Sequence, residues 1–258
     1  MIYKPTFLHQ NRPLNTCMIQ TDRADIARNL SRDAAFDGCD AYGFQMECFD
    51  KNSRTEDVIR GIFSFMDGKP IYVTNYRYQQ NAGMTDDELS EGLFFLRRCG
   101  ATLLDVMGDY YCPTPGELTM DPDAMAKQKD LIARIHDAGG EVLMSSHILK
   151  FTPAEEVLRI AKEHETRGAD IAKIVTAANT EEEELENLRI TTLLRRELNI
   201  PFLFLSGGSH CQLHRTIGPM LGCCMWLTVH EQTNTATKSQ PSTRAIRAIA
   251  DNFSYTHP

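Results

Sequence analysis

Short apolar or β-branched runs alternate with amphipathic stretches eight times along this 258-residue chain, with no linker or low-complexity segment between them. This alternation constrains the fold more than any other feature. A strand followed by a helix brings the chain back to lay the next strand parallel to the last. Strands are predicted at Thr16–Gln20, Ala41–Cys48, Pro70–Tyr76, Thr102–Gly108, Glu141–Ile148, Asp170–Ala177, Pro201–Ser206 and Cys223–Val229. Helices are predicted at Asp22–Phe36, Thr55–Met66, Asp86–Cys99, Pro122–Ala138, Pro153–Arg167, Thr180–Leu198, Leu213–Leu221 and Ser242–Phe253. Asp121-Pro122 and Thr152-Pro153 each read as an N-cap followed by proline at the first helical position. Gly38, Gly100, Gly139-Gly140 and Gly168 fall where helices should end. Eight such units in about 250 residues point to an α/β fold, a (β/α)8 barrel, taken as a single domain over residues 1–258. A doubly wound open sheet is the alternative, because strand order is not visible in sequence, but no Gly-x-Gly-x-x-Gly follows the first strand.

A net charge of −8 and the absence of a basic cluster argue against a nucleic-acid partner. The acidic run Glu181–Glu184 opens a predicted helix, where it complements the helix dipole. No stretch approaches the roughly 20 apolar residues of a membrane span, and Met1–Pro5 lacks the apolar core of a signal peptide. Cysteines stand at 17, 39, 48, 99, 112, 211, 223 and 224 with no Cys-x-x-Cys spacing. They read as reduced thiols in a cytoplasmic protein, with neither disulfides nor structural zinc expected.

In a barrel, reactive groups gather at the C-terminal ends of the strands. The polar residues there are Glu47, Arg77, Asp105, His147, Lys173, Ser206 and His230. Lys173 sits in the middle of the apolar run Ala169–Val175. Stripping an ammonium of water costs several kcal/mol, so a lysine in a core is unusual, and held uncharged it is a nucleophile able to form a Schiff base. The alternative is a strand-end lysine that reaches solvent. His147 closes the preceding strand and is suited to move protons near neutral pH. A histidine alone in such a place is more often a hydrogen-bonded structural residue than a catalyst; together with Lys173 it reads as a catalyst. Leu205-Ser206-Gly207-Gly208-Ser209 is a glycine-rich loop whose N–H groups could hold an anion, or a plain βα turn. Arg215 after it could clamp a carboxylate, or stand exposed on its helix. His210, Cys211 and His214 have a metal-like spacing, but no further ligand completes the set nearby.

These segments together resemble the type I 3-dehydroquinate dehydratases, Schiff-base lyases of the shikimate and quinate routes that feed aromatic amino acid biosynthesis. Ser145-Ser146-His147-Ile148-Leu149-Lys150-Phe151-Thr152-Pro153 is similar to the family's Ser-Tyr-His-Asp-Phe…Thr-Pro segment, which carries the catalytic histidine. Ala169-Asp170-Ile171-Ala172-Lys173-Ile174 is similar to Ala-Asp-Ile-x-Lys-Ile, which carries the Schiff-base lysine. Leu205-Ser206-Gly207-Gly208, His214-Arg215 and Gly218…Gly222 resemble Met-Ser-Met-Gly…Ser-Arg…Gly…Gly, whose arginine binds the substrate carboxylate. Gln240 falls where the family's lid supplies a glutamine, while Ala236 stands for the lid serine, with Thr235 and Thr237 beside it.

The second strand departs from the family. Where the family has Glu-x-Arg-x-Asp, whose glutamate and arginine read substrate hydroxyls, this chain has Gly43-Phe44-Gln45-Met46-Glu47. The third-strand Thr-Phe-Arg becomes Thr74-Asn75-Tyr76-Arg77, with the arginine shifted by one residue. A site that has lost hydroxyl-reading partners should accept a different ligand. The resemblance thus implies a cofactor-free dehydratase acting on 3-dehydroquinate or a related cyclic hydroxy-keto acid. Lys173 and His147 would be catalytic; Arg215, Gln240, Ser206, Arg77, Glu47 and Gln45 would bind substrate; a homodimer is expected. The alternatives are a class I aldolase-type lyase using Lys173 and a non-catalytic carboxylate-binding barrel.

Overall fold

The structure is a computed structural model describing residues 5–253; Met1–Lys4, the stretch read for a leader, lie outside them. Among the described residues, eight parallel strands alternate with eight α-helices. They are β1 (Leu14–Ile19), α1 (Ala24–Phe36), β2 (Ala41–Gln45), α2 (Glu56–Phe63), β3 (Ile71–Thr74), α3 (Asp86–Cys99), β4 (Leu103–Met107) and α4 (Pro122–Asp137). There follow β5 (Glu141–His147), α5 (Ala154–Thr166), β6 (Ile171–Ala177), α6 (Glu181–Glu197), β7 (Phe202–Gly207), α7 (Gln212–Leu221), β8 (Met225–Thr228) and α8 (Thr243–Ala250).

The strand order is β7-β6-β5-β4-β3-β2-β1-β8. A doubly wound sheet reverses direction beside its first strand, whereas here neighbours follow chain order and the last strand lies beside the first. This is the (β/α)8 barrel. No helix among the described residues is long and apolar enough to cross a membrane.

The chain packs as two compact units. The first comprises the residues up to Asp105, Ala138–Glu141 and the residues from Leu227 onward. Its strands are in register at Met18↔Gly43 and Gly43↔Tyr72, and the core includes the fully buried Tyr42, Phe44, Ile59, Ile62 and Leu93. Helix α3 starts on a capping box, with Thr85 Oγ1 accepting from the Glu88 N–H and Glu88 from the Thr85 N–H. It ends at Gly100, whose φ of 119° a side chain would strain.

The second unit comprises Val106–Asp137 and Val142–Trp226. Its strands β5, β6 and β7 are buried along nearly their whole length, as parallel strands covered by helices are. Asp121 Oδ1 accepts from the Ala124 N–H ahead of Pro122, as the sequence suggests. The Thr152-Pro153 expectation needs correction. Helix α5 begins at Ala154 with Pro153 as its cap, and the Thr152 hydroxyl donates back to the Lys150 carbonyl instead. Thr180 caps α6, and its first turn carries Glu181–Glu184, where carboxylates favour the dipole.

Candidate active site

In the second unit, Lys173 is the third residue of β6 and is 4% exposed. The register pairs Ser145 with Lys173 and His147 with Val175, so alternation puts Ser145, His147 and Lys173 on one face. On the other side Leu203 of β7 is level with Lys173 and Leu205 with Val175. The amine therefore sits between one hydroxyl-bearing and one aliphatic neighbour. The histidine lies one step nearer the C-terminal end of the adjacent strand.

His147 is held by a residue the sequence reading missed. Its Nδ1 lies 2.5 Å from Glu117 Oε2, and its backbone N–H donates to the same oxygen at 3.2 Å. A carboxylate only accepts, so Nδ1 carries a proton and Nε2 is the ring nitrogen directed away from Glu117. Glu117 belongs to the loop between β4 and α4 and has a φ of 54°, a left-handed conformation that a non-glycine residue keeps only where its surroundings impose it. Thirty residues separate Glu117 from the histidine. The available signal was an acidic residue in the βα loop preceding the histidine strand.

Arg215, on the first turn of α7, is 7% exposed. Its Nε donates to the Ser206 carbonyl at 2.5 Å, its only side-chain hydrogen bond among the described residues. Burial lowers its pKa to about 10, which leaves it cationic at neutral pH with no carboxylate partner. A buried guanidinium in that state can hold an anion. The Ser206 hydroxyl faces elsewhere. Ser206 is in register with Thr176, on the face opposite Lys173, and its Oγ accepts from Asn187 of α6 at 3.0 Å. Gly208 has a φ of 87°, and a Cβ there would come within 2.3 Å of the Ala178 carbonyl, so this turn accepts only glycine. His214 Nε2 contacts Thr191 Oγ1 at 2.9 Å, and burial, with Arg215 next to it, lowers its pKa to about 3. Among the described residues no group of three His, Cys, Asp or Glu is arranged to hold a metal.

The first unit carries the remaining candidates. Gln45 ends β2, accepts from Gln20 Nε2, and donates from Nε2 to Glu47 Oε1 at 3.0 Å. Glu47 is fully buried and also accepts from Thr74 Oγ1 at 2.8 Å and the Tyr76 N–H at 3.3 Å. Burial outweighs these bonds and pushes its pKa up. Asp105 accepts from the hydroxyls of Tyr72 and Tyr76. Arg77 forms a fork with Asp86 on α3, at 2.7 and 2.9 Å. Gln240 is 6% exposed in the loop after β8, where Gln232 donates to its carbonyl at 2.8 Å and its own Oε1 is buried without a partner. Thr237 and Thr235 of that loop are bonded to Gln20. Gly43 has no spare volume: a Cβ there would lie 2.1 Å from Met18 Sδ. His230 pairs with Asp37 at 2.7 Å. All eight cysteines are free thiols, and burial raises Cys17 and Cys223 to about 12, out of the reactive range.

Several known proteins are similar to this chain. The 3-dehydroquinate dehydratase of Aromatoleum aromaticum is 27% identical over 172 residues, covering 65% of this chain and 61% of that protein. The one of Geobacillus thermodenitrificans is 33% identical over 118 residues, covering 45% and 44%. The matches thus span less than two thirds of either relative. The crystal structure of 3-dehydroquinate dehydratase from Geobacillus kaustophilus superposes with a TM-score of 0.78 at 19% identity, covering 94% of this chain and 93% of that one. A type I 3-dehydroquinate dehydratase from Clostridium difficile with covalently modified comenic acid gives 0.77 at 15%, covering 94% and 92%. At these identities the structures attest the fold. The family described as type I 3-dehydroquinase matches residues 19–255, nearly the whole chain, and this protein belongs to it.

Proposed function

We propose that this protein is a lysine Schiff-base dehydratase, eliminating water from 3-dehydroquinate or a related cyclic hydroxy-keto acid. The observation that carries this reading is the pairing of a buried Lys173 with a tethered His147 on one face of adjacent strands. Lys173 Nζ adds to the substrate ketone and, with loss of water, forms an iminium. The iminium draws electrons, so His147 Nε2 can take the adjacent C–H proton and leave an enamine. The enamine expels the β-hydroxyl, which departs as water with the proton His147 had taken. Water then cleaves the conjugated iminium, releasing the enone and restoring the amine. Arg215 holds the substrate carboxylate, and Ser206 supports it through its carbonyl. Gln240, Gln45, Glu47 and Arg77 are the further substrate contacts of this scheme, which needs no cofactor. We place the enzyme in the cytoplasm as a homodimeric single-domain barrel.

The substrate is left as a class for a physical reason. In the family resemblance, Gly43 stands where a glutamate reads a hydroxyl, and Met18 Sδ fills the space its side chain would need. Borohydride reduction with 3-dehydroquinate, followed by peptide mapping and an absorbance assay for the enone, tests the proposal. The expected result is an adduct on Lys173 with turnover, both lost in Lys173→Met. An adduct without turnover transfers the chemistry to another hydroxy-keto acid. No adduct with any of a panel of carbonyl acids removes the Schiff-base reading.

A further inference from the structure

We infer that Arg167 is a positioning residue for His147, acting through the loop that presents Glu117; this rests on reading His147 as the proton carrier. Arg167 follows α5, and its side chain is 0% exposed. Nη1 donates to the Gly108 carbonyl at 3.0 Å and to Gln128 Oε1 at 2.8 Å, and Nη2 to the Thr119 carbonyl at 2.6 Å. Gly108 is the first residue after β4, and Thr119 lies two residues beyond Glu117. One guanidinium therefore ties together the two feet of the Glu117 loop, which are joined by the Thr119 N–H to the Gly108 carbonyl at 3.1 Å. Gln128 of α4 reinforces the first foot, donating to the carbonyls of Gly108 at 3.1 Å and Tyr110 at 3.0 Å.

The loop is then pinned at Glu117 itself. The Ser146 hydroxyl donates to the Glu117 carbonyl at 2.7 Å and contacts His164 Nε2 at 2.9 Å. That carbonyl lies so close to Gly108 that a Cβ there would approach it to 2.6 Å. With both feet and the carbonyl fixed, the backbone at Glu117 is set in the position from which its carboxylate meets His147 Nδ1. Among the described residues the only carboxylate paired with Arg167 is Glu163, at 3.5 Å and half-buried. A guanidinium buried with so weak a counter-charge is a costly way to fill space, which an apolar side chain would do better. Its planar fork does what an apolar residue cannot: it bonds two separate carbonyls in fixed geometry.

The test uses the full chain with Arg167→Lys and Arg167→Met, alone and combined with Glu117→Gln. The expected result for Arg167→Met is a fall in kcat of about 100-fold with KM nearly unchanged, as for a small misplacement of a reacting group. Arg167→Lys, which keeps the charge but not the fork, should fall between it and the wild type. The double variants should lose little more than Glu117→Gln alone, since both changes break one linkage. Ring ¹⁵N spectra of His147 without substrate should show the Nδ1–H tautomer in the wild type and a tautomer mixture in the arginine variants. Should Arg167→Met fail to fold, the lysine variant decides. A lowered melting temperature with unchanged tautomer and unchanged kcat of the folded enzyme would overturn the inference. If the wild type turns over no keto acid, the proton-carrier reading fails, while the spectra still report whether the arginine orients the histidine.

Discussion

Arg167 and Arg215 are both buried guanidinium groups, and their surroundings differ in how the terminal nitrogens are engaged. The terminal nitrogens of Arg167 are taken up by carbonyls and an amide oxygen while its Nε is buried without a partner, whereas Arg215 spends its Nε on Ser206 and its terminal nitrogens make no hydrogen bond among the described residues. Arg215→Gln is therefore expected to raise KM far more than it lowers kcat, measured on the substrate that the trapping experiment selects. His214, one position earlier, carries a pH prediction. Its pKa falls from 6.5 in the unfolded chain to about 3 in the folded protein, so between these values the unfolded state binds the extra proton. Stability is fully present above pH 6.5 and is lost on acidification towards pH 3, at up to about 1.4 kcal/mol per pH unit. Urea denaturation between pH 7 and pH 4 should show this slope, and His214→Asn should flatten it. At this scale Lys173 and His147 were legible because a polar residue in an apolar strand stands out. Glu117 was not, because its partner is 30 residues away and its backbone conformation is imposed by contacts.

The elements were legible to within a few residues, since period and caps are local. The differences have local physical causes. Strand β2 ends at Gln45 because the chain turns into a short 3₁₀ stretch at Met46–Cys48, which buries Glu47 under Thr74. Helix α5 starts one residue late because the Thr152 hydroxyl is drawn back to Lys150. The loop from Gly108 to Asp121 gave no periodic signal, yet it supplies the carboxylate that meets His147 and the carbonyl that Ser146 bonds. Gly108→Ala should clash with the Glu117 carbonyl, a backbone atom that cannot swing aside. We expect a loss of about 1–3 kcal/mol in urea denaturation, with a drop in kcat as Glu117 is displaced.

At the scale of the whole molecule, the boundary between the two packing units crosses the chain inside β4 after Asp105, at the end of α4 after Asp137, inside β5 after Glu141 and inside β8 after Trp226. A strand interior is not a linker, so a single cooperative domain is expected. Unfolding followed by the fluorescence of Trp226, the chain's one tryptophan and 1% exposed, should coincide with unfolding followed by far-UV circular dichroism. Separate midpoints would show two domains. By itself the sequence determined the alternation of strand and helix and the number of units, and it singled out Lys173 and His147 as candidates, because each is written in local hydrophobic period or in one out-of-place side chain. Strand order, the face shared by Lys173 and His147, the turning of the Ser206 hydroxyl toward Asn187, the Glu117 tether and the different surroundings of the two buried arginines were decided only by the tertiary structure. These depend on which distant residues meet once register and packing are set, and no local pattern encodes such encounters.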